Sequence, residues 1–422
     1  MGGPVTAAYG PDRLGVLRAA VDGGLRSRRH LDYWASSSWA ADASPVLDAL
    51  EAELAHGASR GLVELLERAV GHLVKVVLRA DDSNGMIGDL ALRALELHTR
   101  ACDAGVADPV RLARWMIRFT FEDQDFFTVD PVRYREALGD EGIAAYRTEA
   151  AKRSAPAEAR ASRRADLWAP FPSFAARYAV ERLAVLDGDV DRLVELLGGD
   201  LSSPHQFTRV AEAMVELDRS DDALRWARRG IAETSGWQIA ALYDLAASIL
   251  QSRDDVVEVF QLRRDQHRRL ASASTYVLLR TAAESADRWD AERAEARLVL
   301  AGRDRGGLIE SLLGDGDADE AWKVATAGDW DPGERLWQLL AEAIEKTQPG
   351  DALGVYLSLA DRALLTADRR AYRVAVGQLK SARRAAGAAN RTDRFDEHLA
   401  LLRAQHRRRP SLISMLDKAG LH

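Results

Sequence analysis

Cysteine is almost missing from this sequence: Cys102 stands alone among 422 residues. No intrachain disulfide can form, and a zinc module built on several thiolates is excluded. Long apolar runs are missing too. Stretches such as "HLVKVVL" (72–78) fall far short of the roughly 20 residues a membrane-spanning helix needs. The start, "MGGPVTAAYGPDRLG", has neither a basic beginning nor an apolar core, so no secretory signal is expected. Nor is there an excess of positive charge. Lys and Arg number 58 against 65 Asp and Glu, a net −7, so nucleic-acid binding needs a local basic face. A cytoplasmic chain off the membrane is the expectation.

What is present is helical periodicity. Hydrophobic residues make up 47% and charged residues 29%, a foldable balance. From Ile87 to Cys102, apolar positions recur at steps of three and four (Ile87, Leu90, Ala91, Ala94, Leu95, His98, Ala101, Cys102), which builds one stripe on a helix. Ser44-Pro45, Asp108-Pro109, Ser203-Pro204 and Asp331-Pro332 each pair a capping residue with proline at a first helical position, so helices are predicted to start there. Alternating strand patterns are nearly absent. The fold class predicted is all-α, with early helices near 44–56, 59–80, 86–104, 108–120 and 130–152.

A repeat emerges after Asp166. "LDGDVDRLVELL" (186–197), "LDRSDDALRWARRG" (217–230), "LQSRDDVVEVFQLRR" (250–264) and "LGDGDADEAWKVATAG" (313–328) share one form. A helix ends, an Asp-rich turn follows, and a second helix begins with Ala or Val. The acids Asp222, Asp255, Asp290, Glu320 and Asp351 step by 33, 35, 30 and 31 residues. That scatter centres near the ~34-residue tetratricopeptide period. A right-handed α-solenoid of tetratricopeptide-like antiparallel helix pairs follows, with an extended concave surface. The domains read as an N-terminal segment (1–32), an N-terminal helical domain (33–155) and the repeat domain (166–422). The Ala/Arg-rich "AAKRSAPAEARASRRAD" (150–166) lies at the boundary.

The runs "VLDALEAELAHGASRGLVELLERAVGHL", "DDSNG" and "ALELHTRAC" resemble the helical region that follows the zinc motif in bacterial SWIM zinc-finger family proteins. So do "GDEGIAAYRTEAAK", "GDALGVYLSLADRAL" and "RFDEHLALLRAQHRRRPSLISMLDKAGL". The likeness spans roughly Tyr33 to Leu421. It implies the helical fold alone, because a chain whose one cysteine is Cys102 cannot supply that finger's Cys-x-Cys and Cys-x-His ligands.

Several stretches carry candidate site residues. The acids of "LLGDGDADEAW" (312–322) alternate like calcium ligands, yet a loop from Asp315 has Glu320 where glycine belongs and Thr326 where glutamate belongs. A helix turn fits better, with Gly314 closing one helix and Asp317 and Glu320 forming a capping box for the next. His98 and Cys102 lie one turn apart and are the metal-ligand candidates, with His56 and His72 as further donors, against a plain core reading. "DDSNG" (81–85) reads as capping residues plus a turn. "FTFEDQDFFTVDP" (119–131) reads as an aromatic-anchored connection with acids in solvent. The basic clusters "LRSRRHL" (25–31), "RASRR" (160–164), "LRRDQHRRL" (262–270) and "RAQHRRRP" (403–410) name Arg263, Arg264, Arg268, Arg269, Arg407, Arg408 and Arg409 as partner-binding candidates. Of Trp226, Trp237, Trp289, Trp322, Trp330 and Trp337, most are expected to be packing anchors between helices, and any exposed on the concave face a binding hot spot.

No hydrolase, phosphate-loop or dinucleotide signature occurs, and no cofactor is expected. The function predicted is a non-catalytic scaffold or adaptor binding a protein or peptide. The alternatives are a nucleic-acid-associated accessory factor using the Arg clusters, or a metal protein or enzyme using His98 and Cys102.

Overall fold

The computed structural model describes residues 13–121, 126–161 and 174–422. The first part of the N-terminal segment, the acids Glu122, Asp123 and Asp125, and the end of the Ala/Arg-rich stretch from residue 162 lie outside them. Every regular element among the described residues is a helix, apart from an isolated bridge between Leu31 and Ala80. No helix among them is long and apolar enough to cross a membrane.

The chain divides into two compact units: Met1–Leu201 with Glu212–Arg219, and Ser202–Ala211 with Ser220–His422. The first holds α1 (Arg13–Gly24), α2 (Tyr33–His56), α3 (Arg60–Val77), α4 (Met86–Ala101), α5 (Pro109–Phe121), α6 (Arg135–Ala161), α7 (Phe174–Asp187) and α8 (Val190–Gly198). A π-helical turn, Cys102–Val106, follows α4, and α6 bends at Gly139, whose φ is +52°. Helix α9 (Pro204–Glu216) divides between the two units.

Helix α2 begins eleven residues before the start expected at Ser44-Pro45, and Pro45 lies inside it. A proline within a helix costs about 3 kcal/mol. The turns ahead of Pro45 offset it, capped by Asp32 through the Ala35 amide and buried at Ser36, Ala40 and Ala43. Cap reading served better elsewhere. Asp108 accepts from the Arg111 amide ahead of Pro109, at 2.8 Å, and Asp82 of "DDSNG" accepts from the amides of Ile87 and Gly88. Arg182 anchors the unit's interior, 7% exposed, donating to Asp130 and to both carboxylate oxygens of Glu216.

The second unit is a run of helix pairs: α10 (Ser220–Glu233), α11 (Ile239–Gln251), α12 (Val256–Arg269), α13 (Ala273–Ser285), α14 (Trp289–Arg303), α15 (Arg305–Gly314), α16 (Ala318–Thr326), α17 (Glu334–Ile344), α18 (Pro349–Ala363), α19 (Arg369–Ala388), α20 (Thr392–Gln405) and α21 (Pro410–Lys418). From α10 to α20 each packs on its sequence neighbour, α21 packs on α19, and α13, α15 and α17 also touch one another in a row. Turns of a few residues between packed neighbours require antiparallel pairs, the solenoid arrangement read from the repeat.

The turns have a common construction. Gly188, Asp218, Asp254, Asp287 and Gly316 all have left-handed φ, between +53° and +83°, at steps of 30, 36, 33 and 29 residues. At each, the next residue's amide reaches back to a carbonyl five residues earlier, as from Asp255 to Leu250 (3.1 Å) and from Asp317 to Leu312 (2.8 Å). These are Schellman closures. In "DD" at 254–255 the first aspartate takes the left-handed position and the second caps α12, accepting from the Glu258 amide at 3.0 Å.

Two expectations need correction. Gly314 is the last residue of α15, and Gly316 occupies the left-handed position. Asp317 stands at the N-cap of α16 but makes no capping bond, because Arg297 takes its carboxylate. Likewise Pro332 precedes α17 instead of starting it. Gly333 is the cap residue, and Asp331 accepts from the Gly333 amide and the Trp337 indole.

Left-handed φ disfavours any residue with a Cβ. Asp254→Gly and Asp287→Gly are each expected to stabilise the fold by about 0.5 kcal/mol, the relief of strain less the looser unfolded chain. Asp254→Val is expected to destabilise it by about 1–2 kcal/mol. Urea midpoints of the three variants check both signs.

Candidate functional site

The sequence of α13, "ASTYVLLRTAAES", carries more apolar residues than its buried face can use. Tyr276, Leu279, Ala282 and Ala283 form the inward stripe. Val277 and Leu278 fall off that period and stay 58% and 37% exposed. A cleft lies on either side of them. Towards α12 is one of about 260 Å³, with Asp254, Val256, Val259, Arg263 and Thr281 in its wall. Towards α15 is another of about 300 Å³, bounded by Ser274, Val277, Arg280, Glu310 and Asp315. Val256 and Val257 add exposed apolar surface at the start of α12.

The walls are held by buried charge. Asp315 has a side chain 5% exposed, and it accepts from the Tyr276 hydroxyl at 2.6 Å, Arg297 at 2.6 Å and Arg280 at 2.9 Å. Burial works to raise its carboxyl. The bonds from Tyr276 and Arg297 outweigh that and hold it below the usual carboxylate range. Burial, then the bond to Asp315, pushes Tyr276 up to about 12. All four acids of the Asp-rich turn are thus engaged: Asp315 inward, Asp317 with Arg297, Asp319 with the Gln348 amide and Glu320 with Lys323.

The arginine candidates on α12 are internal clamps. Arg263 is 8% exposed and donates to Asp244 and Gln266 at 2.6 and 2.7 Å. Arg264 pairs with the buried Glu292 at 2.8 Å, and Arg268 with Glu295 at 3.5 Å. Arg269 donates to the carbonyls of Ile231 and Thr234. At the other end, Arg409 donates to the Leu364 carbonyl, while Arg407 and Arg408 are exposed. Trp237 is the exposed tryptophan of the six, at 79%. The rest are half-buried, and Trp322 and Trp337 meet edge to face at 5.7 Å.

In the first unit, His98 and Cys102 are both fully buried. His98 Nδ1 is 2.8 Å from the Tyr134 hydroxyl, its ring lies 4.4 Å from that of Trp115, and Cys102 Sγ is 3.7 Å from Nε2. Glu67 stands 3.9 Å from Nε2 but also engages Arg111. His72 bonds Asp22, and His56 bonds the Ala52 carbonyl within its own helix. Among the described residues no group of three or more His, Cys, Asp or Glu side chains is placed to hold a metal ion. Burial, with the Glu67 charge second, pushes the Cys102 thiol up to about 12. A cleft of about 540 Å³ opens over Thr99 and Tyr134, and its charged rim is internally paired: Arg133 with Glu96, Arg93 with Glu51 and Asp130 with Arg182.

The off-period pair Val277–Leu278 is the sequence signal for the α13 ridge, one that the Asp-rich turns and arginine clusters do not point to. Asp315→Ala leaves Arg280 and Arg297 facing a partly buried void. It is expected to destabilise the second unit by about 3 kcal/mol, read as a lowered urea midpoint. The Cys102 thiol is expected to resist a disulfide reagent at pH 7 in the native chain and to react at once in guanidinium, because burial both shields it and keeps it protonated.

No family model and no curated protein matches the chain. Among solved structures, a circular tandem repeat protein with novel repeat topology and enhanced subunit contact surfaces is similar to it, at 16% identity over 96% of each chain, with a TM-score of 0.18.

Proposed function

We propose that this chain is a cytoplasmic, non-catalytic helical-repeat adaptor that takes a segment of a partner protein into the clefts beside α13. The observation that carries the reading is the exposed Val277–Leu278 pair standing between two clefts whose walls are fixed by buried ion pairs. A preformed surface loses little conformational freedom on binding, and an apolar ridge set in a polar rim is the usual anatomy of a hot spot. Val277 and Leu278 receive the apolar anchors of the partner, and Arg280 and Asp254 at the rims fix its polar groups.

The test is affinity purification of the tagged chain from its native host, with mass spectrometry of what is retained. Wild type is expected to hold one protein in stoichiometric amount. Val277→Asp with Leu278→Asp is expected to lose it by about 10-fold or more at unchanged helicity, since two desolvated apolar anchors are worth about 1 kcal/mol or more each. Retention of the same partner by the double variant would overturn the reading.

A further inference from the structure

Charge is distributed unevenly along the chain. Residues 369–422 hold 13 Lys and Arg against 4 Asp and Glu, in a chain that is net −7. The concentration is sharpest on α19, which contains no acidic residue from Arg369 to Ala388. Tyr372, Ala375, Val376, Leu379, Ala382, Ala385 and Ala386 form its buried stripe. On the opposite side, Arg369, Arg373, Gly377, Lys380, Arg384 and Gly387 recur at steps of three and four, all exposed. Arg384 pairs with Glu345 at 2.6 Å. Arg369, Arg370, Arg373 and Lys380 make no side-chain ion pair or hydrogen bond among the described residues. The arginines of α12, by contrast, are all tied to neighbours.

The two glycines are a second, independent observation. Both have helical φ, and a Cβ at Gly377 or Gly387 would meet nothing within 4 Å. Neither conformation nor packing requires glycine there, and glycine is the least favourable helix residue after proline. What its presence provides is close access to the helix backbone from outside.

We infer that the outer stripe of α19 docks the phosphate backbone of duplex DNA without reading its sequence. Guanidinium groups, three of the four unpartnered cations, match phosphate oxygens in a bidentate fork. From Arg369 to Arg384 the stripe runs about 22 Å, along which each strand of a duplex presents about six phosphates. The stripe has no aromatic side chain on which unpaired bases could stack, which disfavours single strands. It has no Asn or Gln to read base edges, Gln378 being buried. It also lacks the leucine or aromatic anchor that a protein interface needs at its centre. Gly377 and Gly387 let the sugar–phosphate chain approach where a side chain would hold it off.

The experiment is fluorescence anisotropy of the full chain with a labelled 20-base-pair duplex of mixed sequence. The expected result is binding that weakens about 100-fold between 50 and 200 mM salt, as for about four phosphate contacts. The base sequence is expected to have no effect, and a single strand of equal length to bind more weakly. Arg369→Ala, Arg370→Ala, Arg373→Ala and Lys380→Ala together are expected to weaken duplex binding at least about 10-fold at unchanged helicity. Gly377→Ala is expected to raise the melting temperature and yet weaken binding, a combination that loss of fold cannot produce. The inference is overturned if no salt-dependent binding occurs at 50 mM salt, or if the quadruple variant binds like wild type. Displacement of the duplex by polyglutamate at equal charge would overturn it in favour of an acidic protein. The cleft reading stands apart from each of these outcomes, since none of the substituted residues lines the clefts beside α13.

Discussion

A pair of short helices cannot bury its own apolar face, and the second unit is organised around that constraint. Each pair must hand its exposed stripe to the next, and the stack works only if the chain reverses at the same place every time. The Schellman closures at Asp254, Asp287 and Gly316 make that reversal in three or four residues, so packing registers follow from turn chemistry. An aspartate tolerates the left-handed position, and a following aspartate caps the next helix. An Asp-rich turn is therefore a piece of helix punctuation with no need of a metal.

The second support is a recurring association of a tyrosine hydroxyl, a carboxylate and an arginine between helices. Tyr243 meets Asp265 and Arg269, Tyr276 meets Asp315 and Arg297, and Tyr356 meets Glu345, which Arg384 clamps. Each arrangement satisfies a hydroxyl that burial would otherwise leave unpaired, and each ties together helices that meet through bulky side chains. Arg269, Arg297 and Arg384 are held in this way, so these cations serve the packing of the helices.

Much of the fold was legible in sequence because helices and turns are local. The His98–Cys102 stripe, the cap at Asp108 and the repeat period all follow from neighbours within a turn or two. The failures have a common cause, since each depended on a distant partner. Asp317 would cap α16 but for Arg297, twenty residues earlier in the chain. Pro45 would start a helix but for the burial of Ala40 and Ala43 ahead of it. The clusters around Arg263 and Arg407 look alike as strings; one is consumed by Asp244, Glu292 and backbone carbonyls, while in the other Arg403 and Arg409 are engaged and Arg407 and Arg408 are exposed. The α13 ridge and the α19 stripe were visible only as breaks in a pattern: two apolar residues off the helical period, and two glycines where a helix has no use for them.

The most direct test of the adaptor account is site-specific photocrosslinking in the native host. A photoreactive residue would replace Val277 on the ridge of α13 or Leu298 on α14, which is as exposed but borders neither cleft. The expected result is one crosslinked protein of defined mass from position 277 and none from position 298. Equal crosslinking at both positions, or a partner captured only at 298, would contradict it.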